Sequence, residues 1–234
     1  MSHLSDKPSV RVFFALWPEA AESGRLAAWQ APLKRLCGGR AMRGETLHNT
    51  LVFIGDVELY GLEVLQLAAQ EVSGESFDLH FDEARYWGHN HIVYAAPHQV
   101  PQQLLNLAHA LGQRLDTHCF QFDRRDYKPH VTLLRNAHWS DTPLPAMPPV
   151  CWQITDFALV QSVPRDGLAD YQVLARFPLH TLPKPIPASP DKGRSLVSPP
   201  DKGEPEGVRG SEQHSTQSSE MDSLSVMDIS IPIR

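Results

Sequence analysis

Two short segments of the chain pair an imidazole with a hydroxyl: His48-Asn49-Thr50-Leu51 and His130-Val131-Thr132-Leu133. On an extended strand, residues i and i+2 share a face. Each segment therefore presents its His and Thr side by side and turns its Leu the other way, toward a core. Two imidazoles and two hydroxyls on separate strands suit in-line hydrolysis of a phosphodiester. One imidazole takes a proton from the attacking water, and the other protonates the departing alkoxide from the opposite side of the phosphorus. The Thr hydroxyls are fixed donors for the non-bridging oxygens. Either segment alone reads better as a structural histidine; the pair, placed equivalently in two similar units, reads as catalytic. A third His-x-Thr, His214-Ser215-Thr216, is followed by Gln217 in a low-complexity region and is set aside.

The elements around these segments repeat. An apolar strand over Val10–Leu16 leads to Pro18 and a helix carrying Ala21, Leu26 and Ala27, which Pro32 ends or kinks; a strand over Leu47–Ile54 comes next, closed by Gly55 and Asp56. Leu62, Leu65, Ala69 and Val72 have helical spacing. Phe77–Tyr86 and Ile92–Ala96 read as strands joined by Gly88-His89-Asn90. Pro101 then opens a helix with Leu104, Ala108, Leu111 and Leu115 on one face, and His130–Leu134 is again a strand. A final hairpin is expected from Ile154–Val163 and Tyr171–Phe177, with Pro164–Asp170 as its loop. Strand, proline, helix and His-x-Thr strand thus occur twice, which predicts an α+β domain of two related lobes around a cleft.

Composition narrows the possibilities. The chain has 234 residues and a net charge of −6, without the basic surplus of a protein that grips duplex nucleic acid along its length. No apolar run reaches the roughly 18 residues needed to span a membrane, and Met1–Val10 has no apolar h-region, so a cytoplasmic protein is expected. Cys37, Cys119 and Cys151 form no Cys-x-x-Cys pair and are expected to be free, buried thiols. Pro183, Pro185, Pro187 and Pro190 open a tail in which Ser-Pro-Asp-Lys-Gly at 189–193 nearly recurs at 198–203, and which has no aromatic residue. Such a composition buries too little apolar surface to offset its chain entropy. Residues 1–182 are therefore read as the folded domain and 183–234 as a disordered tail, although 224–231 holds a few apolar residues.

The segments LHNTLVFIGDV (47–57) and KPHVTLLR (128–135) resemble the paired HxTx motifs of the 2H phosphoesterases, in particular the bacterial RNA 2′,3′-cyclic phosphodiesterases, also called 2′-5′ RNA ligases (LigT/ThpR). RVFFALWP (11–18) resembles that family's first strand, Arg125 also fits, and the likeness covers about residues 10–180. The resemblance implies a bilobal α+β, LigT-like fold whose two pseudo-symmetric lobes carry antiparallel sheets flanking a central cleft. It implies His48 as proton donor, His130 as proton acceptor, Thr50 and Thr132 as phosphate-binding, and no metal or other cofactor. It further implies a monomer acting on RNA with 2′,3′-cyclic phosphate ends, tRNA fragments among them, that opens these ends to 2′-phosphates and runs the reverse 2′-5′ joining. The family also carries an Arg at position 135. Strict alternation puts Arg135 on the face opposite His130, so it reaches phosphate only if the strand ends or bulges near Leu134; the alternative is a structural ion pair. Asn49 stands where an apolar residue is usual, on the face away from the cleft, and Trp17 is atypical without evident consequence.

Other readings remain open on the residues alone. Another small cyclic phosphate, such as ADP-ribose 1″,2″-cyclic phosphate, fits the same chemistry. A non-catalytic RNA-end-binding module would not need both His48 and His130. His80, His89 and His91 are the candidates for a metal site. Arg124, Arg125 and Lys128 are either a local basic patch for RNA or a solvated loop, and Tyr127 or Trp87 either stacks on a base or packs. The tail boundary generates a direct expectation. Deleting everything after Pro183 leaves the melting temperature and kcat/KM on a cyclic phosphate nearly unchanged, as a side-by-side melt and turnover assay would show; unfolding or a tenfold loss would move the boundary.

Overall fold

In the computed structural model, the described residues are 8–139, 142–165 and 168–180. They form ten strands and four α-helices. In chain order these are β1 (Ser9–Leu16), α1 (Ala20–Ala27), α2 (Gln30–Cys37), β2 (Arg40–Ala41), β3 (Asn49–Glu58), α3 (Gly61–Gln70), β4 (Phe77–Phe81), β5 (Glu83–Trp87), β6 (Ile92–Ala96), α4 (Gln102–Thr117), β7 (Val131–Arg135), β8 (Val150–Ile154), β9 (Asp156–Arg165) and β10 (Leu168–Pro178). A single 3₁₀ turn at Gly44–Thr46 precedes β3. One sheet has the order β10-β9-β1-β3 and a second β2-β7-β6-β5, while β4 and β8 pair separately. Every strand pairing is antiparallel.

The central strands β1 and β6 are buried on both faces, which is why they read as continuous apolar runs. Val12, Phe14 and Leu16 of β1, with Val93 and Ala95 of β6, enter the main core. There they meet Leu26, Trp29 and Leu33 of the first helical segment, Leu65 and Ala69 of α3, and the α4 stripe Leu104, Leu107, Leu111 and Leu115. On the other face, Phe13 and Ala15 pack with Ala158, Val160, Trp17, Phe53 and Tyr171. The corresponding face of β6 packs Ile92, Tyr94 and Ala96 with Trp87. These two smaller aromatic layers carry the residues of interest.

Several expectations change, each for a local reason. Pro32 neither ends nor kinks a helix: it sits in the first turn of α2, where its missing N–H would have had no intrahelical partner. Gly55 and Asp56 do not close β3 but lie within it. Gly55 adopts φ +94°, Ile54 is left out of the register with β1, and Asp56 pairs with Arg11 directly across. The expected strand over Phe77–Tyr86 breaks at Asp82, whose carboxylate accepts the His98 N–H at 2.7 Å. Its halves then join different partners, β4 with β8 and β5 with β6. The hairpin strands run on through most of the expected loop, with Asp170 opposite Val163. Of the three free cysteines only Cys37 is buried; Cys119 and Cys151 are exposed. The tail expected to be disordered lies outside the described residues.

The first unit also lends a strand to the second sheet. β2 pairs with β7, Arg40 opposite Arg135. Just before it, Gly39 has φ +79°, and a Cβ there would lie 2.7 Å from the Arg135 carbonyl oxygen and 2.9 Å from the Ala137 nitrogen. Both neighbours are backbone and cannot yield. Gly39→Ala is accordingly expected to cost about 2–3 kcal/mol, seen as a drop in melting temperature of roughly 5–10 °C; an unchanged melt would contradict this packing.

Candidate active site

The two His-x-Thr segments are built alike. Each His is the residue just before its strand, β3 or β7. The His48 Nδ1–H donates to the Thr46 carbonyl at 2.7 Å, and the His130 Nδ1–H to the Lys128 carbonyl at 2.8 Å. A bond from Nδ1 to the backbone two residues upstream fixes the ring orientation and leaves Nε2 as the nitrogen that can take up or give a proton. One step further along, each strand carries the same irregularity. Thr50 faces Ala15 and Val52 faces Phe14, so Leu51 has no partner in register. Thr132 faces Tyr94 and Leu134 faces Val93, so Leu133 has none either. At each bulge two successive apolar residues enter the core, Leu51 and Val52 in one strand and Leu133 and Leu134 in the other. Alternation then resumes shifted by one.

That shift decides the place of Arg135. Strict alternation would turn it away, but the bulge at Leu133 returns it to the face of Thr132 and His130. Arg135 is half-buried, and its charge acts on His48, His130 and Tyr171 alike. Among the described residues no carboxylate pairs with it, so the expected alternative of a structural ion pair is not found. Phe53 holds the equivalent position after the β3 bulge. An open pocket is lined by Thr50, Phe53, Tyr127, Lys128 and His130, so Thr50 of the first segment and His130 of the second share one cavity.

Burial sets the protonation of both imidazoles. It pushes the His48 pKa down to about 4, opposed by the bond to the Thr46 carbonyl and reinforced by the charges of His130 and Arg135. Burial likewise lowers His130, against its bond to the Lys128 carbonyl and together with the charge of Arg135. Both rings are therefore neutral near pH 7 in the free protein, and an incoming anion would raise both. Tyr171 is held above the ordinary tyrosine value, chiefly by burial, while Arg135 and Arg43 pull it back.

The remaining candidates divide. Asn49 is fully buried on the face away from the cleft and accepts the Tyr127 hydroxyl at 3.0 Å, so it ties the 123–128 loop to β3. The Asp123 N–H donates to the Phe53 carbonyl at 2.9 Å and secures the same loop. Arg125 is held by Asp123 and Arg124 by Asp116, so two of the three cations of the expected basic patch are neutralised locally. Trp87 packs against Tyr94 at 4.1 Å and meets His130 nearly edge-on at 4.7 Å. His80 is on β4, whereas His89 and His91 lie within the β5–β6 turn. Among the described residues no group of three His, Cys, Asp or Glu is placed to hold a metal ion. Sequence reasoning missed Phe13 and Tyr171, whose rings lie 5.0 Å from that of His48, because nothing local marks two distant strand residues as neighbours of one histidine.

Among the described residues no helix is long and apolar enough to cross a membrane. Residues 17–165 match the family model of the 2′-5′ RNA ligase superfamily. The chain is 32% identical over 170 residues to an Escherichia coli (strain K12) protein named RNA 2′,3′-cyclic phosphodiesterase, covering 72% of this chain and 96% of that protein. It is also similar to the crystal structure of E. coli LigT complexed with 3′-AMP. There the TM-score is 0.67 and the identity 28%, over 74% of this chain and 99% of that one. The crystal structure of a Thermus thermophilus protein, TT0787, shares the fold at 22% identity, with a TM-score of 0.58 over 72% of this chain and 97% of its own. With a model match over more than half its length and a relative covered almost end to end, the chain belongs to the 2′-5′ RNA ligase superfamily.

Proposed function

We propose that this protein hydrolyses RNA 2′,3′-cyclic phosphodiester termini to 2′-phosphomonoesters, with residues 1–182 carrying the activity. The observation that carries this reading is a pair of imidazoles close enough for the charge of one to act on the other, each with Nδ1 tied to the backbone and Nε2 left to react. His130 Nε2 takes a proton from water as the water oxygen attacks phosphorus. The bond from phosphorus to O3′ breaks, and His48 Nε2–H delivers its proton to O3′. The 2′-phosphate and a free 3′-hydroxyl leave, and the two imidazoles have exchanged protonation states.

The other groups stabilise charge. The Thr50 and Thr132 hydroxyls donate to the non-bridging oxygens, and the Arg135 guanidinium offers a fork of donors with no competing carboxylate among the described residues. The likeness to a protein named RNA 2′,3′-cyclic phosphodiesterase supports this choice of substrate. A 5′-hydroxyl in place of water would give a 2′-5′ linkage with the same acid and base, in keeping with the name of the superfamily.

The test is product analysis on an RNA oligomer ending in a 2′,3′-cyclic phosphate, run in EDTA. The expected product is the 2′-phosphate. His48→Ala and His130→Ala should each lower kcat by about 10²–10⁴, and the double variant by far less than the product of the two losses. Near-wild-type turnover in either single variant would remove that residue from its role. Loss of activity in EDTA, restored by one divalent metal, would favour a metal-assisted route.

The pH dependence is set by the lowered imidazoles. The productive free enzyme has one ring protonated and one neutral, a state most populated below the ordinary histidine value of 6.5. Bound phosphate raises both rings. The optimum of kcat/KM is therefore expected below pH 6.5 and that of kcat at higher pH; the reverse order would contradict the electrostatic assignment.

A further inference from the structure

Both reactive imidazoles have aromatic neighbours, but of different kinds. The Trp17 indole lies over His48 with centroids 5.2 Å apart and planes only 10° from parallel. Phe13 is tilted by 32° to the imidazole, and Tyr171 meets it nearly edge-on at 76°. Tyr171 in turn braces the other two rings, at 5.4 Å from Phe13 and 6.0 Å from Trp17. Among the described residues His130 has no parallel partner, since Trp87 and Tyr94 meet it at 69° and 79°. The backbone brings Trp17 there. Leu16 is paired with Asn49 at the end of the β1–β3 ladder, so one step further places Trp17 beside His48. Pro18, buried, then fixes the turn out of the sheet.

The surroundings of His48 pose a difficulty that this stack answers. A proton donor must be charged before it acts, yet the ring is half-buried and close to the Arg135 guanidinium and a second imidazole. The groups that face it are the Thr46 carbonyl, Phe13 and Trp17 at the end of β1, Tyr171 of β10, and the positive groups His130 and Arg135. No carboxylate among the described residues acts on it. Among the described residues, the carbonyl, the indole face and the more tilted ring of Phe13 are what the protein offers a positive ring; the indole is the most nearly parallel and the strongest of the aromatic faces, and a cation within about 6 Å of a Trp centroid is attracted by its quadrupole. We propose that Trp17 is a positioning residue for His48: its indole fixes the imidazole plane and favours the protonated ring, so that the proton-donating half of the reaction falls to His48 rather than His130. The assignment of a donor rests on the phosphodiester reading above; the effect on the ring does not.

The test uses the full chain with ¹⁵N-labelled histidine and no substrate, comparing wild type, Trp17→Phe and Trp17→Leu by NMR titration. If the indole acted only by excluding water, removing it would raise the His48 midpoint. If it holds the cation, the midpoint falls, by about half a unit to one unit in Trp17→Leu and less in Trp17→Phe, while His130 stays in place. On a cyclic phosphate at pH 7, kcat should then fall about three- to tenfold in Trp17→Leu, with KM within about twofold and the alkaline limb of kcat moved to lower pH. An unchanged or raised His48 midpoint, or a loss confined to KM, overturns the proposal. Should Trp17→Leu fail to fold, the sign of the shift in Trp17→Phe decides alone. A wild-type protein without turnover on cyclic-phosphate RNA would count against the proposed function, while the titration still decides the role of Trp17.

Discussion

One extra residue in each of two strands arranges the rest of the site. At Leu51 and at Leu133 the ladder skips a position, and two successive apolar side chains enter the core where alternation would send one of them out. The core thus grips each strand directly behind its Thr, and the face beyond the bulge turns back toward the cleft. Without the skip, Arg135 would lie on the far side from His130, and the cleft would lose a guanidinium that no carboxylate among the described residues pairs. The apolar pairs Leu51-Val52 and Leu133-Leu134 hold this shift in place, because restoring regular alternation would expose one of each pair to water.

The two halves share a plan and diverge beyond the bulge. Arg135 occupies in β7 the place that Phe53 occupies in β3, so one half brings charge and the other an aromatic surface. The rings around the histidines differ too, with a parallel indole on His48 and edge-on contacts at His130. A cleft that must give a proton on one side and take one on the other needs such inequality, since two identical imidazoles would have no reason to divide the work. Burial lowers both rings together; the neighbours that differ are what can separate them.

Much of this was legible in the chain because it rests on period and punctuation. The paired His-x-Thr-Leu segments, the apolar runs of β1 and β6, and the α4 stripe all announce themselves at fixed spacing. The bulges do not. Period two carries no mark of an inserted residue when the insertion is a leucine, so only the register with β6 fixes the place of Arg135. The break at Asp82 leaves only a change of phase, from Phe77, Leu79 and Phe81 to Ala84 and Tyr86, which reads equally well as a bulge in one strand; pairing to two different partners divides it. Pro32 misled because its effect depends on where the helix begins. Trp17 stands out as atypical, but nothing local explains it, because its partner His48 is 31 positions away in the sequence.

In the proposed reaction His48 and His130 act as acid and base on opposite sides of phosphorus, with water attacking directly and no covalent intermediate on either ring. Stereochemistry at phosphorus tests this most directly. A single diastereomer of a 2′,3′-cyclic phosphorothioate, hydrolysed in ¹⁸O-labelled water, yields a chiral product whose configuration records the number of displacements. One in-line displacement gives inversion, the result expected here. Retention would mean two displacements through an enzyme-bound phosphoryl group, and would contradict the roles given to the two histidines.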